Sequence, residues 1–379
     1  MTFTRKRPTF PRFLLCLLLG VLTSGGLLVV VQRFYQQYLE KSALREPFFL
    51  LAGISALVTA LFLFFPANRP GKLLKWFWRL VALVLVLTLG WGIGSFYIAQ
   101  NDLLYMPGRH ELAAEESLRQ VPGVEAVALP GGEGQTLHGY FWKTTDAPAG
   151  LVLYFGGNGE LAAGRVNTLI KQNTDSLLKS YHFMMVDYPG YGNSEGEPTE
   201  QSILAMADAA LAYALSRADV SPDRVVIAGY SLGTGPAAYL AAKHKPAGLV
   251  LMAPFFNGEE LVADFITSNL DAPDIIQWVA ALFTRNKYPN HRHAEATQAP
   301  TLVIAGLGDT LVPFHQAERL AALYQKGRLV TLEGGHTAPW VDQFSLQSIE
   351  AFLKEIDSGS SLDPAQPSSP SSCALSNLY

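Results

Sequence analysis

Val225-Val226-Ile227-Ala228-Gly229-Tyr230-Ser231-Leu232-Gly233 reads as a short buried strand that runs straight into a G-x-S-x-G turn. A helical pattern begins near Leu232 and reaches Ala242, so the serine falls between a strand and a helix. That turn holds its serine in a strained backbone. Gly229 and Gly233 must be small, because a side chain at either would meet the neighbouring strand or helix. The pattern alone arises by chance; its place between strand and helix makes it specific.

Outward from this turn, short apolar runs alternate with helical patterns. Residues 124–129 and 136–143 read as two strands of a hairpin joined by the turn-type residues Pro130-Gly131-Gly132-Glu133-Gly134. Further strands are expected over 151–155, 182–186, 224–228, 248–252, 301–305 and 329–332. Helices are expected over 199–217, with Thr199 as cap after Pro198, and over 313–325. Alternation of this kind predicts an α/β fold with a mostly parallel sheet flanked by helices. Such sheets bind ligands beyond the carboxyl ends of their strands.

A serine hydroxyl needs a base, and the base needs an orienting group. Of the eight histidines, His336 follows the last strand in Glu333-Gly334-Gly335-His336, where it can reach the turn. His291 and His293 form an H-x-H pair without a third ligand at metal spacing, so no metal is expected. Asp309, in Ala305-Gly306-Leu307-Gly308-Asp309, reads by itself as a turn residue capping the next helix. The order Ser231, Asp309, His336, each after a successive strand, makes it the expected acid; Glu333 and Asp342 are rivals. An oxyanion would be held by the backbone N–H of Leu232. The second N–H would come from Gly156-Gly157-Asn158-Gly159, with Asn158 expected and Gly157 as the fallback.

Five blocks now stand in order: Phe155-Gly156-Gly157-Asn158-Gly159, Asp187-Tyr188-Pro189-Gly190-Tyr191-Gly192-Asn193-Ser194-Glu195-Gly196, Gly229 to Gly235, Gly308 to Pro313, and Gly335-His336. From about residue 150 to 356 the chain resembles the alpha/beta-hydrolase superfamily, and within it the membrane-anchored serine lipase, lysophospholipase and depalmitoylase-like branch. The resemblance implies the alpha/beta-hydrolase fold and catalysis by Ser231, Asp309 and His336 without a cofactor. Two departures stand out. Gly156 replaces the histidine common in the family, and Pro236 falls a few residues into the helix after the serine. The Asp187–Gly196 block reads as a structural turn.

The expected reaction is cleavage of a carboxylic ester or thioester through an acyl-enzyme, on a lipid or acylated small-molecule or protein substrate. A peptidase or acyltransferase on the same residues is the alternative, as is an inactive membrane scaffold. Residues 255–287 carry Phe255, Phe256, Leu261, Phe265, Ile266, Trp278, Leu282 and Phe283. They read as a helix packed on the sheet, or as a lid over an acyl pocket.

The amino-terminal hundred residues have another texture. Charge-free runs at 13–31, 48–65 and about 80–98 each approach the roughly 20 residues needed to cross a bilayer. Residues 1–100 are therefore expected to form three transmembrane helices, 101–356 the hydrolase domain, and 357–379 a disordered Ser/Pro-rich tail. Arg5, Lys6, Arg7 and Arg12 precede the first run, which exceeds the length usual for a signal peptide. These charges bias the amino terminus to the inside, so the catalytic domain is expected outside the cytoplasm of a multi-pass membrane protein, in the inner membrane if the source is bacterial. A net charge of −4 offers no basic field for nucleic acid. The two cysteines, Cys16 and Cys373, lie too far apart in the chain to suggest a disulfide framework.

Overall fold

Strands β1 (Val124–Pro130), β2 (Thr136–Trp142), β3 (Ala149–Phe155), β4 (Tyr181–Val186), β5 (Val220–Tyr230), β6 (Gly248–Met252), β7 (Thr301–Gly306) and β8 (Gly327–Leu332) form one sheet. Their order is β1-β2-β4-β3-β5-β6-β7-β8. In this computed structural model β2 is antiparallel to both β1 and β4, and every pairing from β4 through β8 is parallel. The structure describes residues 105–108, 111–172, 180–270 and 281–359, with single positions between 79 and 104.

Burial on both faces explains why the central strands read as near-continuous apolar runs. Leu151, Leu153, Phe155, Ile227, Leu249, Leu251 and Val303 belong to one core layer. The intervening Val152, Tyr154, Val226, Ala228, Val250, Met252, Leu302 and Ile304 belong to the other. Successive side chains of one strand thus feed two cores.

Among the described residues from 111 onward the helices are α1 (Leu112–Leu118), α2 (Ala162–Lys171), α3 (Glu200–Ser216), α4 (Thr234–Lys243), α5 (Gly258–Leu270), α6 (Asn290–Ala296), α7 (Phe314–Ala321), α8 (Ala338–Val341) and α9 (Gln343–Ser358). Thr199 caps α3 as expected, accepting from Ser202 N, while the Ser202 hydroxyl accepts from Thr199 N. Two boundaries differ from the sequence reading by more than two residues. β5 begins at Val220, because Ala149 pairs with Val220 and Leu151 with Val225, leaving Ser221, Pro222 and Asp223 to bulge from the ladder. α7 stops at Ala321, where Leu323 and Tyr324 turn back to bond Leu320 O and Ala321 O before Gly327 starts β8. α9 continues through Asp357, whose carboxylate accepts from Tyr181 and Arg224.

The runs at 13–31 and 48–65 lie outside the described residues. Within 80–98, Leu80, Leu83, Leu87, Gly90, Trp91, Gly94 and Tyr97 are described, and all are helical. Among the described residues no helix is long and apolar enough to cross a membrane. The chain divides into two compact units, Met1–Ala99 and Gln100–Tyr379, and the second contains every strand among the described residues.

Candidate active site

β5 delivers Ser231 to the carboxyl edge of the sheet in a left-handed conformation, with φ 51°. A non-glycine residue there is strained, and surrounding structure must enforce it. The enforcement is backbone against backbone. Ser231–Gly233 forms a single 3₁₀ turn that leads into α4. A methyl group at Gly229 would overlap Gly233 O, and one at Gly233 would overlap Phe155 O. The Thr234 hydroxyl donates to Ser231 O at 2.7 Å. Pro236 is the third residue of α4, so its missing N–H falls in the first turn, where no intrahelical bond is lost.

His336 lies in the loop between β8 and α8. Its Nδ1 is 2.7 Å from Asp309 Oδ2 and its Nε2 is 2.8 Å from Ser231 Oγ. A carboxylate only accepts, so Nδ1 carries the proton and Nε2 accepts from the serine hydroxyl. Asp309 uses its two oxygens separately. Oδ1 accepts from Leu311 N and Val312 N at 2.9 Å each, which is the turn-capping role. Oδ2, with the side chain almost fully buried, faces the imidazole. The loops that carry the two residues are joined by Leu307 N to Leu332 O and Gly308 N to Gly334 O. Asp342 instead caps α9 through Phe344 N and Ser345 N, and Glu333 is exposed.

Tyr230, unremarked in the sequence, supports the imidazole from the side. Its ring centroid is 5.2 Å from that of His336, and its hydroxyl donates to His336 O at 3.1 Å. Burial pushes that phenol up to about 12, so it stays a donor at any ordinary pH.

The loop after β3 is held by side chains. Gly157 N donates to Glu160 Oε2 at 2.8 Å, and the buried Tyr154 hydroxyl donates to the same oxygen. Glu160 pairs with Arg165, whose guanidinium lies 3.8 Å above the Trp340 ring. The Gly157 N–H, the fallback oxyanion donor, is therefore already engaged. A side chain at Gly156 would come within 2.6 Å of Met185 Cε, the flexible end of that side chain. The Asp187–Gly196 turn buttresses the same loop: Tyr188 donates to Gly156 O at 2.6 Å, and Asp187 Oδ1 accepts from Ala162 N at 2.7 Å. Burial, aided by Glu111 and Glu115, pushes the Asp187 carboxyl up to about 7.

Glu160, Arg165 and Trp340 escaped the sequence reading. Glu160 stands three residues beyond Gly157, the spacing of a side chain that closes its own turn, and that was the available signal. The other described histidines lie elsewhere. His182 bonds Asp219 O, and His291 stacks on Phe256. His293 packs on Tyr239, and burial lowers its pKa to about 4. Among the described residues no group of His, Cys, Asp and Glu is placed to hold a metal ion. Phe255, Phe256 and Leu261 join the core, whereas Phe265 and Leu282 are exposed; Trp278 lies outside the described residues.

Comparison with known proteins agrees with this architecture. Residues 152–299 match the alpha/beta hydrolase fold family model. An uncharacterised protein of Mycobacterium tuberculosis is 31% identical over 262 residues, spanning 68% of this chain and 88% of that one. The uncharacterised protein YfhR of Salmonella typhimurium is 26% identical over 245 residues, spanning 61% of this chain and 81% of the relative. Among solved structures, the Pyrococcus furiosus esterase Pf2001 superposes with a TM-score of 0.51 at 15% identity, covering 66% of this chain and 95% of the esterase. At that identity the likeness speaks for the fold alone.

Proposed function

Because the chain belongs to the alpha/beta-hydrolase superfamily, we propose that it is a serine hydrolase that cleaves carboxylic ester or thioester bonds through an acyl-enzyme on Ser231. The observation that carries this reading is the unbroken chain Ser231 Oγ, His336 Nε2, His336 Nδ1, Asp309 Oδ2, with both links under 3 Å. His336 takes the serine proton as Oγ attacks the carbonyl, and Asp309 stabilises the imidazolium that forms. The N–H groups of Leu232 and Asn158 receive the oxyanion, since Gly157 is committed to Glu160. His336 then returns the proton to the leaving group, and water, activated by the same imidazole, releases the acid.

The reading extends to a membrane setting and a lipid or lipidated substrate. Three charge-free runs of spanning length precede the catalytic unit. Leu80, Leu83 and Leu87, one turn apart on helical backbone, expose 47%, 53% and 58% of their surface, an apolar stripe that suits lipid better than water. On the positive-inside bias the catalytic unit faces away from the cytoplasm.

A short-chain aryl ester tests the reaction. The intact purified chain should release the phenol in an initial burst, then release free acid catalytically, and an Asp309→Asn variant should retain the fold and lose turnover. Absence of hydrolysis by the wild-type chain across aryl esters, thioesters and lysophospholipids would contradict the proposal.

A further inference from the structure

The residue expected to supply the second oxyanion donor is gripped by a part of the chain far from it in sequence. Asn158 Nδ2 donates to Leu104 O at 2.6 Å, and its Oδ1 accepts from Met106 N at 2.8 Å. Both partners are main-chain groups of the segment that follows the third charge-free run. The Tyr191 hydroxyl donates to the same Oδ1 at 2.7 Å, and Met106 N lies 3.0 Å from that hydroxyl. Further along, Gly108 O accepts from Gly192 N at 2.9 Å.

The same segment is fastened a second time, on the stretch that follows α5. Gln100 donates through Nε2 to Phe283 O at 2.8 Å and accepts from Arg285 N at 2.7 Å. Asn101 Oδ1 accepts from Asn286 Nδ2 at 2.9 Å. Tyr105 is 2% exposed, and its hydroxyl reaches both Asn286 Oδ1 and the Tyr288 hydroxyl at 2.9 Å. A flexible tether would need none of these bonds. Two backbone groups that face opposite ends of one side-chain amide form a clamp of fixed geometry, because the amide offers a donor and an acceptor at a set separation.

We propose that residues 100–108 act as a positioning strap that sets the Asn158 N–H in the oxyanion hole. The proposal rests on the serine-hydrolase reading above. Tyr105, Leu104, Met106 and Tyr191 are positioning residues that act through Asn158. The loop after β3 is braced on its Glu160 side by Arg165 and Tyr154, but Asn158 is exposed and depends on the strap. A donor displaced by about an ångström forfeits much of its transition-state stabilisation, so loosening the strap lowers kcat and spares substrate binding. The segment that leads out of the apolar amino-terminal region thereby becomes part of the site.

The test is a double-mutant cycle in the intact chain, read in kcat and KM on an aryl ester alongside the thermal midpoint. Asn158→Ala keeps the backbone N–H and removes both strap bonds and the bond from Tyr191; kcat should fall at least about tenfold with KM nearly unchanged. Tyr105→Phe, which removes only the remote hydroxyl, should lower kcat about threefold or more. The double variant should be no slower than Asn158→Ala alone, because both act through one clamp. If Tyr105→Phe matches wild-type kcat, or if the two losses multiply, the strap has no positioning role and Tyr105 only stabilises the fold. A wild-type chain that turns over normally beside unaffected variants overturns the strap alone. A wild-type chain without any hydrolase activity overturns the function on which the strap rests, and the strap with it.

Discussion

Two adjacent strand-to-helix connections meet at the site, and they are held by different means. The turn after β5 that presents Ser231 is locked by main-chain contacts among Gly229, Gly233 and Phe155, all within or beside the turn. The loop after β3 that presents Asn158 is held by side chains and by distant backbone: Glu160 with Arg165, Tyr188 on Gly156, and Leu104 and Met106 on Asn158. The proposed nucleophile is thus fixed by backbone packed against backbone, and the proposed donor by side chains and distant backbone. A catalytic group whose backbone is strained needs a rigid frame, whereas a hydrogen-bond donor set by side chains can be tuned from elsewhere.

Substitutions in either connection, and in the residues that serve them, should break this contrast in graded fashion. Asp309→Asn keeps the bonds from Leu311 N and Val312 N but no longer fixes the imidazole tautomer. Turnover should drop by about 10⁴-fold, with the unfolding midpoint close to wild type. Gly233→Ala drives a methyl into Phe155 O; urea denaturation should reveal a loss of about 3 kcal/mol or more, along with activity. Arg165→Ala leaves Glu160 without its counter-charge. Both side chains of the pair are about 15% exposed, so a loss of about 2 kcal/mol is expected, and kcat should fall less than in Asp309→Asn.

A further effect is a pH slope. The Asp187 carboxyl is pushed up to about 7 in the folded chain, above its unfolded value near 4. Between those values the folded state binds more protons, so this group's stabilising contribution is present below about pH 4 and declines as pH rises toward 7. Asp187→Asn should flatten that decline, compared by chemical denaturation at pH 5 and pH 8. An unchanged slope would show that Asp187 is already charged in the folded chain.

The contrast also explains what could be read in advance. The alternating apolar runs foretold all eight strands, since burial on both faces leaves its mark in composition. Ser231, His336 and Asp309 were legible because glycines and strand ends mark them within a few residues. The start of β5 was not, because Ser221, Pro222 and Asp223 look like a loop and are carried only by the pairing of Ala149 with Val220. Arg165, Trp340 and the Leu104–Met106 clamp were also hidden. Their partners lie up to 175 residues away in the chain, as from Arg165 to Trp340, and no spacing rule connects them. Local constraint writes itself into sequence; remote bracing appears only when the chain is folded.

The central claim is that Ser231 is an activated nucleophile, and a fluorophosphonate probe tests it most directly. The intact wild-type chain should be labelled covalently at Ser231, with labelling lost in Ser231→Ala and strongly slowed in His336→Ala. Equal labelling of wild type and Ser231→Ala, or no labelling of a folded wild-type chain, would contradict the account.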